Sequence, residues 1–209
     1  MSCEVHVEPI PLDGETNMAR DAAMLQAAVD DGRCQLRIYE WASPTISLGY
    51  FQKPESVPTE FAELPCVRRL SGGGAILHDY DLTYSCAIPA GHPRAARPTE
   101  LYDLVHDQIV KVLLEHGCHV KPRGSAAMKL ADEPFLCFYR SDPHDLVLGE
   151  HKVVGSAQRR RKGAILQHGS LLLRASEHAP DLLGLADLVQ LSKCPVVSSE
   201  LAEEISYVL

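Results

Sequence analysis

Apolar residues recur along the 209-residue chain with two periods, which separate helices from strands. Met18, Ala22, Leu25 and Val29 return every three or four positions, the spacing of one helical face. Asn17 stands where an N-cap is wanted and Gly32 lies just beyond, so a helix is expected from Met18 to Asp30. A second stripe, Leu101, Leu104, Val105, Ile109, Val112 and Leu113, predicts a helix from Glu100 to His116, opened by Pro98-Thr99 and closed by Gly117. Both stripes are expected to pack into a core.

Elsewhere the period is two. Leu36 to Glu40 alternates, and Leu82 to Ile88 reads as a strand after a glycine-rich turn. A meander follows: Asp145 to Leu148, a turn at Gly149-Glu150, Val153 to Arg159, a turn near Lys162-Gly163, and Ala164 to Leu173. Helices separated by runs of strands predict an α+β fold rather than a doubly wound sheet. The chain shows no repeat or low-complexity tract, and Gly91 to Pro98 reads as a surface loop, so residues 1–209 are expected to form a single domain.

Composition narrows the function. A net charge of −8 disfavours nucleic-acid binding, which needs a basic footprint. The positive charge is nevertheless concentrated in Arg159, Arg160, Arg161 and Lys162, a run that is either a solvated face or a docking patch for an acidic partner. The seven cysteines are odd in number and contain no C-x-x-C pair, which fits neither a disulfide framework nor a zinc site and suits a reducing compartment. The start MSCEVHVEPI lacks the pattern of a signal peptide and no apolar run is long enough to cross a membrane. A cytoplasmic protein that binds neither nucleic acid nor membrane is expected.

Three segments could carry chemistry. RRLSGGGAILHD (68–79) sets three glycines after two arginines, so backbone N–H groups could approach a ligand closely, although it is neither a P-loop nor a dinucleotide fingerprint. Locally it could equally be a tight turn, and His78 a structural histidine. KVVGSAQR (152–159) puts Lys152 before small residues, where an ammonium beside a narrow pocket could bind a carbonyl oxygen; a solvent-facing lysine is the plain alternative. PFLCF (134–138) holds Cys137 between apolar residues, which by itself suggests a buried, inert thiol; reactivity requires nearby positive charge such as Lys152.

In combination the motifs are far more specific. NMARD (17–21), LRIYEWASPTISLGYFQ (36–52), RRLSGGGAILHD with LTYS (82–85), and KVVGSAQRRRKGAILQHGSLLL (152–173) occur in one order, and with them the chain resembles the lipoate–biotin ligase superfamily over about residues 15–190. The resemblance implies that superfamily's α+β fold, the class II synthetase-like mixed β-sheet with flanking helices around an acyl tunnel. Within it, LCF (136–138), followed by Ser141 and Asp145-Leu146, is similar to the octanoyltransferase branch typified by Gram-positive bacteria, in which this cysteine accepts the acyl group. A second octanoyltransferase branch carries its cysteine later, where this chain has none between Gly155 and Leu191.

That branch implies transfer of an octanoyl group from octanoyl-acyl carrier protein to a lysine of a lipoyl domain or glycine cleavage H protein. Cys137 would be the nucleophile and Lys152 its electrostatic partner; Arg69, Gly72, Gly73, Gly74, His78, Gly155, Ser156 and His168 would surround the acyl group, and backbone N–H groups at a Gly155-Ser156 turn would help bind the oxyanion. Arg159 to Lys162 would dock the carrier. A thioester is already activated, so no cofactor is expected; ATP with magnesium enters only if the chain is instead a lipoate ligase. An amidotransferase between lipoyl domains and a non-catalytic acyl-binding protein are further alternatives. His78, His144 and His168 are candidate bases for the acceptor amine, and a monomer is expected. Many relatives continue beyond the point where this chain reaches Leu209, and some ligases add a separate C-terminal domain.

Overall fold

A computed structural model describes residues 3–125, 133–189 and 198–209. The elements run β1 (Glu4–Val7), α1 (Gly14–Asp30), β2 (Gln35–Tyr39), β3 (Thr45–Leu48), β4 (Cys66–Arg68), β5 (Ile76–His78), β6 (Asp81–Ile88), α2 (Pro98–Glu115), β7 (Lys121–Pro122), β8 (Leu146–Leu148), β9 (His151–Arg161), β10 (Ala164–Leu172), α3 (Leu185–Leu188) and α4 (Ser198–Ser206). Short 3₁₀ turns intervene, one of them Cys137–Tyr139.

Seven strands form a mixed sheet in the order β1-β2-β6-β10-β9-β8-β7, parallel only between β1 and β2. Strands β2, β6 and β10 are buried along their whole length, so both faces of the sheet are covered. Successive side chains alternate between the faces. Leu36, Ile38, Leu82, Tyr84, Cys86 and Ile88 therefore meet the stripe of α2 (Leu101, Val105, Ile109, Val112 and Leu113), joined by Leu201 and Ile205 of α4. On the other face Met24, Leu25 and Ala28 of α1 pack on Ala87, Ala164 and Leu166. A smaller sheet, β4-β3-β5, alternates likewise: Ile46, Leu48 and Leu77 enter a second core with Phe61 and Leu136, which turns Ser47, Ile76 and His78 the other way.

The expected α+β class, the meander and the second helix agree with this architecture. The first helix differs. It starts at Gly14 and is capped by Asp13, which accepts hydrogen bonds from the Thr16 N–H and hydroxyl, both at 2.8 Å. Asn17 is not the cap but a buried interior residue whose amide donates to the carbonyls of Leu12 and Glu40. The buried face is Gly14, Asn17, Asp21, Met24, Leu25 and Ala28; of the expected stripe only Leu25 belongs to it. Polar residues turn inward because Arg37, 2% exposed on β2, needs partners: its guanidinium donates to Asn17 Oδ1 and to Asp21 Oδ1. Among the described residues no helix is long and apolar enough to cross a membrane.

Candidate active site

Between the two sheets lies a cavity of about 590 Å³. The main sheet contributes Tyr39, Thr83, His168 and Ser170; the small sheet contributes Ser47, Ile76 and His78; Met18 of α1 and Trp41 close further sides. The glycine-rich segment and the 133–145 loop complete the wall. Ten residues expected around the acyl group and its chemistry, Arg69, Gly72, Gly73, Gly74, His78, Cys137, Lys152, Gly155, Ser156 and His168, all line it. They come from four separate stretches of chain, which only the closed fold unites.

The glycine-rich segment and the cysteine loop are bonded to each other. Cys137 N–H donates to Ala75 O at 2.7 Å and Ala75 N–H to Phe135 O at 2.9 Å. A Cβ on Gly74 would lie 2.5 Å from Arg140 Nε and 3.0 Å from Cys137 N, so glycine at this position is what lets the loop approach. Cys137 thereby opens its 3₁₀ turn as a half-buried thiol in the cavity wall, not the buried core residue that its apolar neighbours suggest.

Lys152 reaches the same point from β9. Its ammonium stands 3.7 Å from Cys137 Sγ, donates to Cys137 O at 3.2 Å and pairs with Asp145 Oδ1 at 2.8 Å. The Lys152 and Asp145 side chains are each only 4% exposed. A Cβ on Gly155 would fall 2.6 Å from Lys152 Cε, so the lysine lies across that glycine. Burial pushes the Asp145 carboxyl above its ordinary range, against the pull of Lys152. Gly155 and Ser156 sit within β9, opposite Ser170 and Gly169 of β10, and not in the turn expected there: the strand continues unbroken to Arg161.

Arg69 is 2% exposed and lines the cavity, with no carboxylate partner among the described residues. It donates to Ser47 O at 2.7 Å, to Gly72 O at 3.0 Å and to Gly74 O, so it ties the glycine-rich segment to β3. Burial brings its pKa down to about 10, and the nearby Cys137 opposes that shift.

His78 and His168 are held on both ring nitrogens. His78 Nδ1 donates to Asp81 Oδ2 at 2.8 Å, leaving Nε2 to accept from Ser47 Oγ at 2.8 Å, and the ring stacks on Trp41 at 3.7 Å. His168 bonds Ser71 Oγ through Nε2 and Asp21 Oδ2 through Nδ1 at 3.2 Å. His144 lies outside the cavity, bonded to Asp103 at 2.9 Å. A buried histidine not anticipated, His106 of α2, donates from Nδ1 to His144 O and accepts from Ser156 Oγ at Nε2, each at 2.7 Å. Burial lowers its pKa to about 4.

Asp145, Trp41, Thr83, Ser170 and Arg140 also border the cavity and were not anticipated. Asp145 lay in the motif that carries the resemblance, but there it read as the first residue of a strand; β8 begins one residue later, which frees its side chain for Lys152. The run Arg159 to Lys162 stays outside the cavity, at the far end of β9 and in its turn. Arg160, Arg161 and Lys162 are exposed, and the Arg159 guanidinium stacks 4.6 Å over Tyr50.

The chain is 34% identical over 175 residues to the octanoyltransferase LipM of Carboxydothermus hydrogenoformans, covering 80% of this chain and 64% of that protein. It is 38% identical over 174 residues to the octanoyltransferase LipM of Brevibacillus brevis, covering 75% and 61%. The chain thus spans somewhat less than two thirds of the length of these relatives. The bipartite lipoate protein ligase of Thermoplasma acidophilum shares the fold, with a TM-score of 0.69 at 20% identity over 98% of this chain and 81% of that one. The model of the lipoyl protein ligase A/B catalytic domain matches residues 13–192, and the chain belongs to that family.

Proposed function

We propose that this chain transfers an octanoyl group from a carrier-protein thioester to a lysine of a lipoyl domain or glycine cleavage H protein, through a thioester on Cys137. The observation that carries the reading is the 3.7 Å approach of Lys152 Nζ to Cys137 Sγ in the wall of a 590 Å³ cavity. The octanoyltransferase relatives support the acyl group and the reaction.

The Cys137 sulfur attacks the thioester carbonyl, the new C–S bond forms, and the bond to the pantetheine sulfur breaks, releasing carrier thiol. One thioester replaces another, so the step is close to neutral and needs no ATP. The Lys152 ammonium faces the negative charge that gathers on the carbonyl oxygen in the tetrahedral species. The acceptor amine, after losing its proton, then attacks the acyl-enzyme, and formation of an amide from a thioester draws the sequence forward. Each methylene taken into the cavity adds about 0.8 kcal/mol, so the size of the cavity limits chain length. The exposed run Arg160 to Lys162 offers positive charge to an acidic carrier, about 26 Å along β9 from Lys152.

Intact mass after mixing the protein with octanoyl-carrier protein, without ATP, tests this reading. One hydroxylamine-labile octanoyl group on the native chain, absent from Cys137→Ala, is expected. No adduct overturns it; acylation only with free lipoate and ATP, or only from an octanoylated lipoyl domain, identifies a ligase or an amidotransferase instead.

A further inference from the structure

Lys152 is long and flexible, and nothing in its own strand fixes its ammonium beside Cys137. Its surroundings do. The loop that carries the nucleophile also carries Asp145, and the two ends of that loop hold the ammonium from opposite sides: Cys137 O at 3.2 Å and Asp145 Oδ1 at 2.8 Å. Asp145 is itself fixed. Its Oδ2 accepts from Asp142 N–H at 2.8 Å, its own N–H donates to Asp142 O at 3.1 Å, and Arg123 Nε, without a hydrogen-bond partner among the described residues, lies 3.9 Å away. Below, Lys152 Nζ stands 5.3 Å from the centre of the Phe138 ring. A carboxylate and an ammonium this deeply buried are costly unless paired, so each stabilises the other's charged form.

We infer that Asp145 is the positioning residue of this centre: paired with Lys152, it holds the ammonium aimed at the carbonyl that Cys137 attacks. Asp145 bonds no part of the acyl group in this arrangement and acts through Lys152. The inference rests on the transferase reading and adds to it the group that makes the lysine competent.

Two consequences separate this role from a merely structural one. First, Trp41, Tyr39 and the glycine-rich segment, which line the cavity where an acyl chain would lie, make no bond to Asp145 among the described residues. Asp145→Ala should therefore slow acylation of Cys137 by about thirtyfold or more while the donor concentration at half-maximal rate moves less than about twofold. Asp145→Glu, which keeps the charge, should recover part of that rate. Second, the effect should vanish when Lys152 is gone: in a Lys152→Met background, Asp145→Ala should cost nothing further.

The experiment is single-turnover acylation by octanoyl-pantetheine, followed by intact mass, for the native chain and these variants. Native acylation with a slowed Asp145→Ala, partial rescue by Asp145→Glu and no added loss in the Lys152→Met background supports the role. Native acylation with an unchanged Asp145→Ala rate, or losses that add in the double variant, overturns it while leaving the transferase reading in place. A native chain that takes up no octanoyl group removes that reading and this role together. If Asp145→Ala fails to fold, Asp145→Asn decides, because asparagine fills the space of aspartate and lacks only its charge: a slowed rate supports the role and an unchanged rate overturns it.

Discussion

Gly155→Ala adds a single methyl group to the β9 strand and should disable the centre without disturbing the fold. The new Cβ would lie 2.6 Å from Lys152 Cε and 3.0 Å from Nζ. Carbon atoms rest at about 3.5–4.0 Å, so the end of the lysine must move by about 1 Å. A shift of that size stretches its 2.8 Å bond to Asp145 beyond useful range and carries the ammonium away from Cys137. Misplacement of about 1 Å costs on the order of a hundredfold in rate, or about 2.7 kcal/mol in the barrier. The strand itself should persist, because Gly155 has no positive φ and alanine suits a strand backbone, while the loosened buried pair with Asp145 lowers the melting temperature. The assay is single-turnover octanoylation of Cys137 read by intact mass, beside thermal melting and a Lys152→Ala control in which the added methyl has nothing left to displace. A Gly155→Ala protein that melts normally and acylates within about threefold of the native rate would refute the reasoning.

Two further predictions concern pH and docking. His106 has a folded-state pKa near 4 against an ordinary 6.5; between these values the unfolded chain binds a proton that the folded chain lacks. Stability should therefore be level above pH ~6.5 and fall by roughly 3 kcal/mol as the pH drops to ~4. His106→Gln should flatten that part of the decline in urea unfolding, and parallel declines in the two proteins would count against it. Reversing Arg160 and Arg161 to Glu should weaken use of octanoyl-carrier protein and flatten its salt dependence, with octanoyl-pantetheine used as before; unchanged carrier kinetics at low salt would rule out the docking role.

The helix stripe of α2 was legible because that helix buries one repeating face, whereas β2, β6 and β10, buried on both faces, were legible as short apolar runs bounded by turn residues. The short strands β1, β3, β4, β5 and β7 left little trace, since two to four residues carry too few repeats to show a period. The inward face of α1 was not legible for a different reason: its buried positions include Asn17 and Asp21, polar residues whose partner Arg37 comes from another element.

The sequence by itself determined the fold class, the glycine-rich segment, the small-residue strand after Lys152 and the cysteine between apolar neighbours, because those depend on residue type and order. Tertiary structure decided what the residues are to one another. It brought Cys137 and Lys152 to 3.7 Å across 15 positions, set Asp145 against the lysine, tied both nitrogens of His78 and His168 into buried pairs, and left Arg160 to Lys162 outside the cavity. Charge, burial and a hydrogen-bond partner are properties of a place in the folded chain, and that place exists only after the two sheets have closed around it.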